Sequence, residues 1–428
     1  MSVEVHIDWA GETLFVGRLH TAGRSPAVSF EYASEWLGRA GAFAIDPTSL
    51  PLRAGPHHAP VLFGAMQDCG PDRWGRILIE RAARKQVLDR KPYQDLDYVL
   101  ALDDGSRIGA LRFRSDPEGP FLAAGDGKIP PVVKLAALLN AANAVHGETE
   151  TAQDLRFLLG QGSPLGGARP KSAVALADGS LAIAKFPKPD DTRDIAAGEI
   201  LALTLAQRAG IRVAGHQLVK VQNHSVSIIT RFDRSREGLG GAVEGTDSRR
   251  IPFLSANSLL GLSPGDPGAY TLLADGIRQF GHDTVGDLRE LWRRLVFSLL
   301  ASNYDDHLRN HGFLMREPGR WALSPAYDLN PVPEIDRTQT PKTPISEEHD
   351  DATLEAALKA APRFGLKTTA AREILRETFH AVSNWRQIGK QLRLKASILD
   401  AYASAFEHPV MDEARRVTKI GRAASPVV

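Results

Sequence analysis

The alternation of apolar and polar positions is clearest at the start of this chain. In VEVHIDW, Val3, Val5 and Ile7 alternate with polar neighbours, the period of a half-buried strand. Gly11 and Glu12 form a predicted turn before TLFVGRLH, and AVSFEY supplies a third strand, so residues 1 to about 32 are expected to be β. The period then lengthens to that of a helix in DRWGRILIERAARKQ, from Asp72 to Gln86. DLDYVLALDDGSRIGALRFR reads as helix, turn and strand. Arg114 to Pro131 is rich in Gly, Pro and Asp and is the expected domain boundary.

A helical stretch runs from Val132 to Leu159, followed by the glycine-rich turn QGSPLGGARPKSAVAL. ADGS is a hairpin turn between SAVAL and LAIAKFP. Residues 194–210 form a predicted helix with Ile195, Ile200, Leu203 and Leu205 as apolar positions and Gly210 placed to end it. Two strands follow, VAGHQLVKV and HSVSIITRF, then a loop, REGLGGAVEGTDSRR, expected to be mobile. Thr284 and Asp287 read as a capping box. It opens a helix with Leu288, Leu291, Trp292, Leu295, Val296, Leu299 and Leu300 on one face. More amphipathic helix is expected from Asp351 to about Phe406. No internal repeat is present.

Bulk properties narrow the class. A chain of 428 residues is expected to form two or three domains. Apolar residues make up 43% and charged residues 24%, as in ordinary folded proteins, and the net charge of +1 gives no sign of a nucleic-acid binder. The one cysteine, Cys69, excludes an internal disulfide framework and a Cys-rich zinc site, and suits a reducing cytoplasm. The opening MSVEVHIDWA does not read as a signal peptide, and no apolar run approaches the roughly 20 residues of a membrane span. A cytoplasmic protein without membrane contact is expected.

Candidate chemistry sits in four places. Gly166 and Gly167 allow close backbone approach to a ligand, and Lys171 follows, so backbone amides plus an ammonium would suit a polyphosphate. An ordinary hairpin turn with a surface lysine is the bland alternative. Lys185 interrupts the apolar strand LAIAKFP, where a charge needs a partner. Phosphates and Glu199 of the next helix are suitable partners, and the alternative is a lysine on the exposed side of the pleat. In NYDDHLRN, Asp305 and Asn310 make the D-x4-N pattern of a kinase catalytic loop. There an aspartate takes or orients the proton of the attacking hydroxyl and an asparagine oxygen holds magnesium. GFLM and WALS flank REPGR as strand, turn and strand, and lead to AYDLNP, where Asp328 is placed as the main magnesium ligand. The order of these pieces points to a kinase-like phosphotransferase using ATP and Mg2+.

With these motifs on view, the chain resembles the HipA family of bacterial serine/threonine kinase toxins over nearly its whole length. GRLH, SFEYASEWL and DYVLALDDGSRIGALRF are similar to the family's N-terminal domain, and GGARPK, AKFP, TRFDR, NYDDHLRN and PAYDLNP to its kinase motifs. The resemblance implies an α+β, bilobal protein-kinase-like fold with an N-terminal β-rich subdomain and a mainly helical C-terminal lobe. The expected divisions are 1–125 for the N-terminal subdomain, 126–234 for the kinase N-lobe and 235–428 for the C-lobe. It implies that Asp305 is the catalytic base, that Asn310 and Asp328 bind magnesium, and that Lys185 contacts phosphates with Lys171 and the Gly166–Gly167 turn nearby. Thr230, Arg231 and Phe232 fall where the linker between lobes meets adenine. His307 and Tyr327 flank the ion and nucleotide sites, and Asp306 orders the loop.

The sequence departs from the family at one point. Members often carry an autophosphorylated serine seven residues before the Gly-loop lysine; here that position is Pro164, and Ser163 is the nearest acceptor. The family's best-known members phosphorylate aminoacyl-tRNA synthetases, so the resemblance implies a protein substrate of that kind. A helix-turn-helix antitoxin binds such toxins and represses the operon, which implies DNA contact through that partner. As this sequence starts with strands, a separate antitoxin is expected. Three other readings are open to the same residues: a small-molecule phosphotransferase, a nuclease built on Asp305, Asp306, His307 and Asp328, and a catalytically weak co-repressor. His57 and His58 are expected in an exposed Pro-Gly turn, His311 at the strand entrance, Cys69 as an inert thiol, ARRVTKIGR as a solvated terminus, and the six tryptophans as core and surface anchors.

Overall fold

The computed structural model describes residues 2–21, 23, 25–122, 129–159, 167–235, 248–263, 265–348 and 352–420. The loop expected to be mobile lies mostly outside these residues, as does the end of the basic tail. The chain forms two compact units. One comprises Met1–Asp190, Gln217–Gly261 and Phe313–Arg320; the other comprises Asp191–His216, Leu262–Gly312 and Trp321–Val428. The helix predicted over residues 194–210 belongs to the second unit, with the C-terminal helices.

In the first unit, the alternating N-terminal residues build an antiparallel sheet. Its strands are β1 (Ser2–Trp9), β2 (Glu12–Thr21), β3 (Val28–Tyr32), β4 (Pro56–Ala59) and β5 (Leu111–Arg114), in the order β4-β3-β2-β1-β5. Register places Val3 beside Leu19 and Leu19 beside Phe30, and all three are buried. Gly17 is required in the next row, because a Cβ there would stand 2.1 Å from the Glu31 carbonyl oxygen. Two polar positions of β1, Glu4 and His6, are buried as well. Glu4 accepts from Arg18 at 2.9 Å and Arg114 at 3.0 Å, and His6 lies 3.1 Å from it.

The structure corrects the reading of His57. It lies in β4, buried, with its ring edge-on to Tyr32 at 5.7 Å, whereas His58 is exposed as expected. Pro56 and Gly55 suggested a loop, but an edge strand tolerates a leading proline because its missing N–H faces no ladder partner.

The second sheet of this unit contains β6 (Lys171–Ala175), β7 (Leu181–Lys185), β8 (His216–Val221) and β9 (His224–Thr230), in the order β6-β7-β9-β8. One face carries Val174, Ala182, Ala184, Val226 and Ile228. It packs on Leu78 and Ile79 of the helix Arg73–Arg84, Leu138 and Leu139 of Leu135–His146, and Leu155 and Leu158 of Ala152–Leu159. That apolar packing leaves the odd-numbered face for other work. Short strands β10 (Arg234–Ser235) and β11 (Arg249–Arg250) pair, and β12 (Phe253–Ser255) precedes β13 (Gly312–Glu317), where Met315 N–H donates to the Pro252 carbonyl at 3.0 Å.

The second unit is mainly helical, and β14 (Arg320–Leu323) enters it. The helix Ile195–Arg208 is capped by Asp194, whose carboxylate accepts from Ala197 N–H at 3.0 Å, and Gly210, with φ 81°, follows its end. The helix Thr284–Leu300 buries all seven apolar residues named from its periodicity. Its cap differs from the expected box. Asp283 accepts from Gly286 N–H at 3.0 Å, while Asp287 is buried and accepts from Leu323 N–H at 2.8 Å and Arg212 at 2.6 Å. The expected C-terminal helix is broken into Leu354–Ala360, Thr368–Ser383 and shorter pieces; Gly365, with φ 70°, interrupts it. Five of the tryptophans are buried. Among the described residues, no helix is long and apolar enough to cross a membrane.

Candidate active site

The first unit contains Lys171 and Lys185. Lys171 and Lys185 are direct cross-strand partners on the odd-numbered face of β6 and β7, and Ser227 of β9 stands opposite Lys185. Both lysines are buried, at 2% and 9% exposure, so neither is a surface lysine on a plain hairpin. Directly paired positions on one face bring two cationic side chains to the same part of the sheet, where each needs a compensating anion. Lys171 donates to the Asp72 carboxylate and, at 3.3 Å, to the Gly167 carbonyl. Gly167 adopts φ 84°, a conformation that favours glycine. Gly166, Ser163 and Pro164 lie outside the described residues, so the first glycine of the turn and the acceptor serine are not placed.

Thr230 ends β9, and the two residues after it are tied to the interior. The Arg231 guanidinium is buried. It donates to Asp233 at 2.8 and 2.6 Å, to the Ser106 carbonyl at 2.5 Å and to the Arg107 carbonyl at 2.9 Å. Its side chain is thus spent on an internal network and is not available for the adenine-linker role expected from sequence. Burial alone would raise the Asp233 carboxyl, but Arg231 and Arg234 outweigh it and hold it well below the usual range. Phe232 packs beside Phe253 at 6.3 Å. The network extends to Asp104, which takes Arg107, Arg112 and Arg250. DDGSRIG and TRFDR, read as separate motifs, are therefore one cluster. Sequence showed the charges but not their pairing.

The second unit contains the Asp305 loop. After the helix Thr284–Leu300, Ser302 takes φ 50°, and Asn303 N–H returns to the Ser298 carbonyl at 2.9 Å. Asp305 is exposed, and Lys342 Nζ stands 3.7 Å from its Oδ1. Asp306 faces inward. It accepts from the Tyr270 hydroxyl and, at 3.3 Å, from Ser298 Oγ, and His311 Nε2 lies 3.1 Å away. Burial pushes the Asp306 carboxyl up, but His311 and Tyr270 more than compensate, so it is held below its ordinary value. Asp306 thus orders the loop and is not gathered with Asp305 as the nuclease reading requires. His307 is half-buried, and its Nδ1 has no hydrogen-bond partner among the described residues.

Asn310 is buried in the short 3-10 turn Leu308–Asn310. Its Nδ2 donates to the Asp305 carbonyl at 3.3 Å, which leaves its Oδ1 buried and without a hydrogen-bond partner among the described residues. Such an oxygen costs free energy unless something satisfies it. Asp328 is half-buried with φ 56°, a left-handed backbone uncommon outside glycine and tolerated best by Asn and Asp. Its Oδ1 accepts from Asn330 Nδ2 at 3.1 Å.

Two bonds join the Asp328 segment to the Asp305 loop. The Tyr327 hydroxyl donates to the Arg309 carbonyl at 2.6 Å, and Asn330 N–H donates to Asn303 Oδ1 at 3.0 Å. Asn303, Asn330 and Lys342 were not singled out from sequence; the asparagines bracket the two motifs, and that symmetry was the available signal. One carboxylate and one orphaned amide oxygen are hard donors that fit a magnesium ion completed by water and phosphate oxygens. Glu199 is buried in the helix Ile195–Arg208 of this unit.

Comparison with known proteins extends this picture. Residues 163–385 match the HipA-like C-terminal domain, and residues 9–114 match the HipA N-terminal domain. Over 225 residues the chain is 32% identical to "Putative kinase Y4dM" of Sinorhizobium fredii, covering 47% of this chain and 51% of that protein. Over 177 residues it is 28% identical to a "Putative kinase" of Haemophilus influenzae, covering 39% and 51%. The chain thus spans about half the length of the curated relatives it matches. In fold it is similar to the HipA, HipB and operator DNA complex of the Shewanella oneidensis MR-1 toxin–antitoxin system. The TM-score is 0.69 at 17% identity, over 99% of this chain and 100% of that one. At that identity the likeness establishes the fold, α+β and kinase-like with two lobes.

Proposed function

Because this chain belongs to the HipA family, we propose that it is an ATP- and magnesium-dependent protein serine/threonine kinase that restrains growth by phosphorylating a translation component such as an aminoacyl-tRNA synthetase. The observation that carries this reading is the orphaned Asn310 oxygen beside an exposed Asp305, with Asp328 tied to the same loop.

The roles follow from the chemistry of each group. Exposed Asp305 accepts the proton of the substrate hydroxyl, since it alone of the two aspartates faces solvent. Asn310 Oδ1 and the Asp328 carboxylate hold the cation, whose charge would offset that of the phosphates during transfer. Lys171, Lys185 and the turn at Gly166 and Gly167 bind the phosphates, since both lysines lie on the same face of β6 and β7 and Gly167 adopts φ 84° in the turn. Backbone groups of Thr230, Arg231 and Phe232 meet adenine, while His307 and Tyr327 border the ion and nucleotide. A separate helix-turn-helix antitoxin is the proposed partner, with DNA reached through it. The Shewanella complex, which contains HipB and operator DNA, supports that choice of partner.

Incubation of the full chain with labelled ATP, magnesium and a bacterial lysate should label a discrete protein on serine or threonine. Asp305→Ala should abolish the label. Label on small molecules alone would replace the protein substrate, and label that survives Asp305→Ala would remove Asp305 from its role.

A further inference from the structure

One set of contacts within the first unit joins stretches that fall in two different family domains. Asp72 precedes the helix Arg73–Arg84, and its Oδ1 accepts from Gly75 N–H at 2.8 Å as an N-cap. Its other oxygen, Oδ2, takes the Lys171 ammonium. Two residues on, Trp74 donates its indole N–H to the Lys171 carbonyl at 3.1 Å, and its backbone N–H to the Gly167 carbonyl at 3.4 Å. Lys171 itself returns to that Gly167 carbonyl at 3.3 Å. Residues 72–74 therefore hold the segment 167–171 at both ends and grip its ammonium. The Lys171 and Asp72 side chains are 1% and 5% exposed, so solvent does not weaken the pair. Asp72 and Trp74 lie in the N-terminal domain match, and Gly167 and Lys171 in the C-terminal one.

We propose that Asp72 and Trp74 are positioning residues for the phosphate end of the nucleotide, so that the N-terminal domain helps to build the ATP site. This rests on the reading of Gly167 and Lys171 as phosphate-binding. The physical reason is burial. An ammonium inside the protein stays at a fixed point only while a carboxylate compensates it. Without Asp72, Lys171 would swing toward water, and the glycine turn would lose its tether. Competition between Asp72 and the incoming phosphates acts the other way. It is the smaller effect, because magnesium-bound phosphates can share an ammonium that has three donors.

The prediction separates positioning from general structural support. Asp72→Asn keeps an N-cap acceptor and removes the charge. Trp74→Phe keeps the ring and removes the indole donor. Calorimetry on the full chain should show Mg·ATP bound about tenfold more weakly by Asp72→Asn, the scale of one charge-assisted hydrogen bond, with adenosine affinity changed less than about twofold. Trp74→Phe should shift the same ratio in the same direction, and it carries the test if Asp72→Asn does not fold. Unchanged or tighter ATP binding, or equal weakening of ATP and adenosine, would overturn the proposal. A wild-type chain that binds no ATP would instead remove the nucleotide reading on which it rests.

Discussion

Asp305 and Asp306 are neighbours in sequence and opposites in space: their side chains are 61% and 5% exposed. One is available to a substrate and the other is locked against Tyr270 and His311. Substituting each should therefore damage different properties. Asp305→Ala should lower transfer by about a thousandfold or more, with an unchanged unfolding midpoint. Asp306→Ala strands the Tyr270 hydroxyl and His311 in the interior and should cost about 2–4 kcal/mol of stability. Paired activity and urea-denaturation measurements check this, and an exchange of the two phenotypes would reverse the assignment.

Asn310 offers a second division of labour. Its amide nitrogen holds the Asp305 carbonyl, while its oxygen is the unpartnered one. If that oxygen meets the cation, Asn310→Ala should raise the magnesium concentration for half-maximal transfer by about tenfold or more, the usual scale for losing a group on the metal. A magnesium titration reads this directly. A curve that keeps its midpoint while its maximum falls would make Asn310 a support for Asp305 only.

Much of the fold was legible because its signals are local. The period of two in β1 and the period near 3.6 in Thr284–Leu300 each reflect one buried face, and both elements formed where expected. Long-range partners were less legible. Nothing near Arg231 in sequence says that its guanidinium will meet the Ser106 and Arg107 carbonyls, more than 120 residues away. His57 failed for a related reason: a proline beside a glycine suggests a loop, and only the pairing with β3 makes it an edge strand. The D-x4-N spacing was readable because its two residues share one short loop. Asn303 and Asn330 were not, because their bond spans 27 residues.

Lys342 reaches the loop from the segment after Asp328. Its backbone N–H donates to the Tyr304 carbonyl at 3.0 Å, and its ammonium stands 3.7 Å from Asp305. The backbone bond fixes where the side chain starts, and its exposure leaves the ammonium free to move toward charge that develops during transfer. Lys342→Ala should lower the turnover rate by about tenfold to a hundredfold with ATP affinity nearly unchanged, and Lys342→Arg should restore part of it. Single-turnover rates and nucleotide affinity together test this. A loss confined to ATP affinity would place Lys342 in nucleotide binding.

Asp46 gives a stability prediction with a definite sign. It is fully buried, and its carboxylate accepts from the backbone N–H groups of Ser49 at 2.9 Å and Ala65 at 3.1 Å. Burial pushes its pKa up from 3.8 to about 6, against the opposing pull of those two N–H groups. Between these values the folded chain holds a proton that the unfolded chain has released. Stability from this site is therefore complete below pH 3.8 and is lost as pH rises through about 6. The loss amounts to about 3 kcal/mol across the window, from 1.36 kcal/mol per pKa unit. Asp46→Asn cannot titrate, so it lacks this term at every pH. The wild-type advantage over Asp46→Asn in urea unfolding should shrink as the buffer moves from about pH 4 to pH 7.5. A difference that stays constant or grows with pH would show that Asp46 is ionised in the folded chain throughout, with its backbone donors outweighing burial.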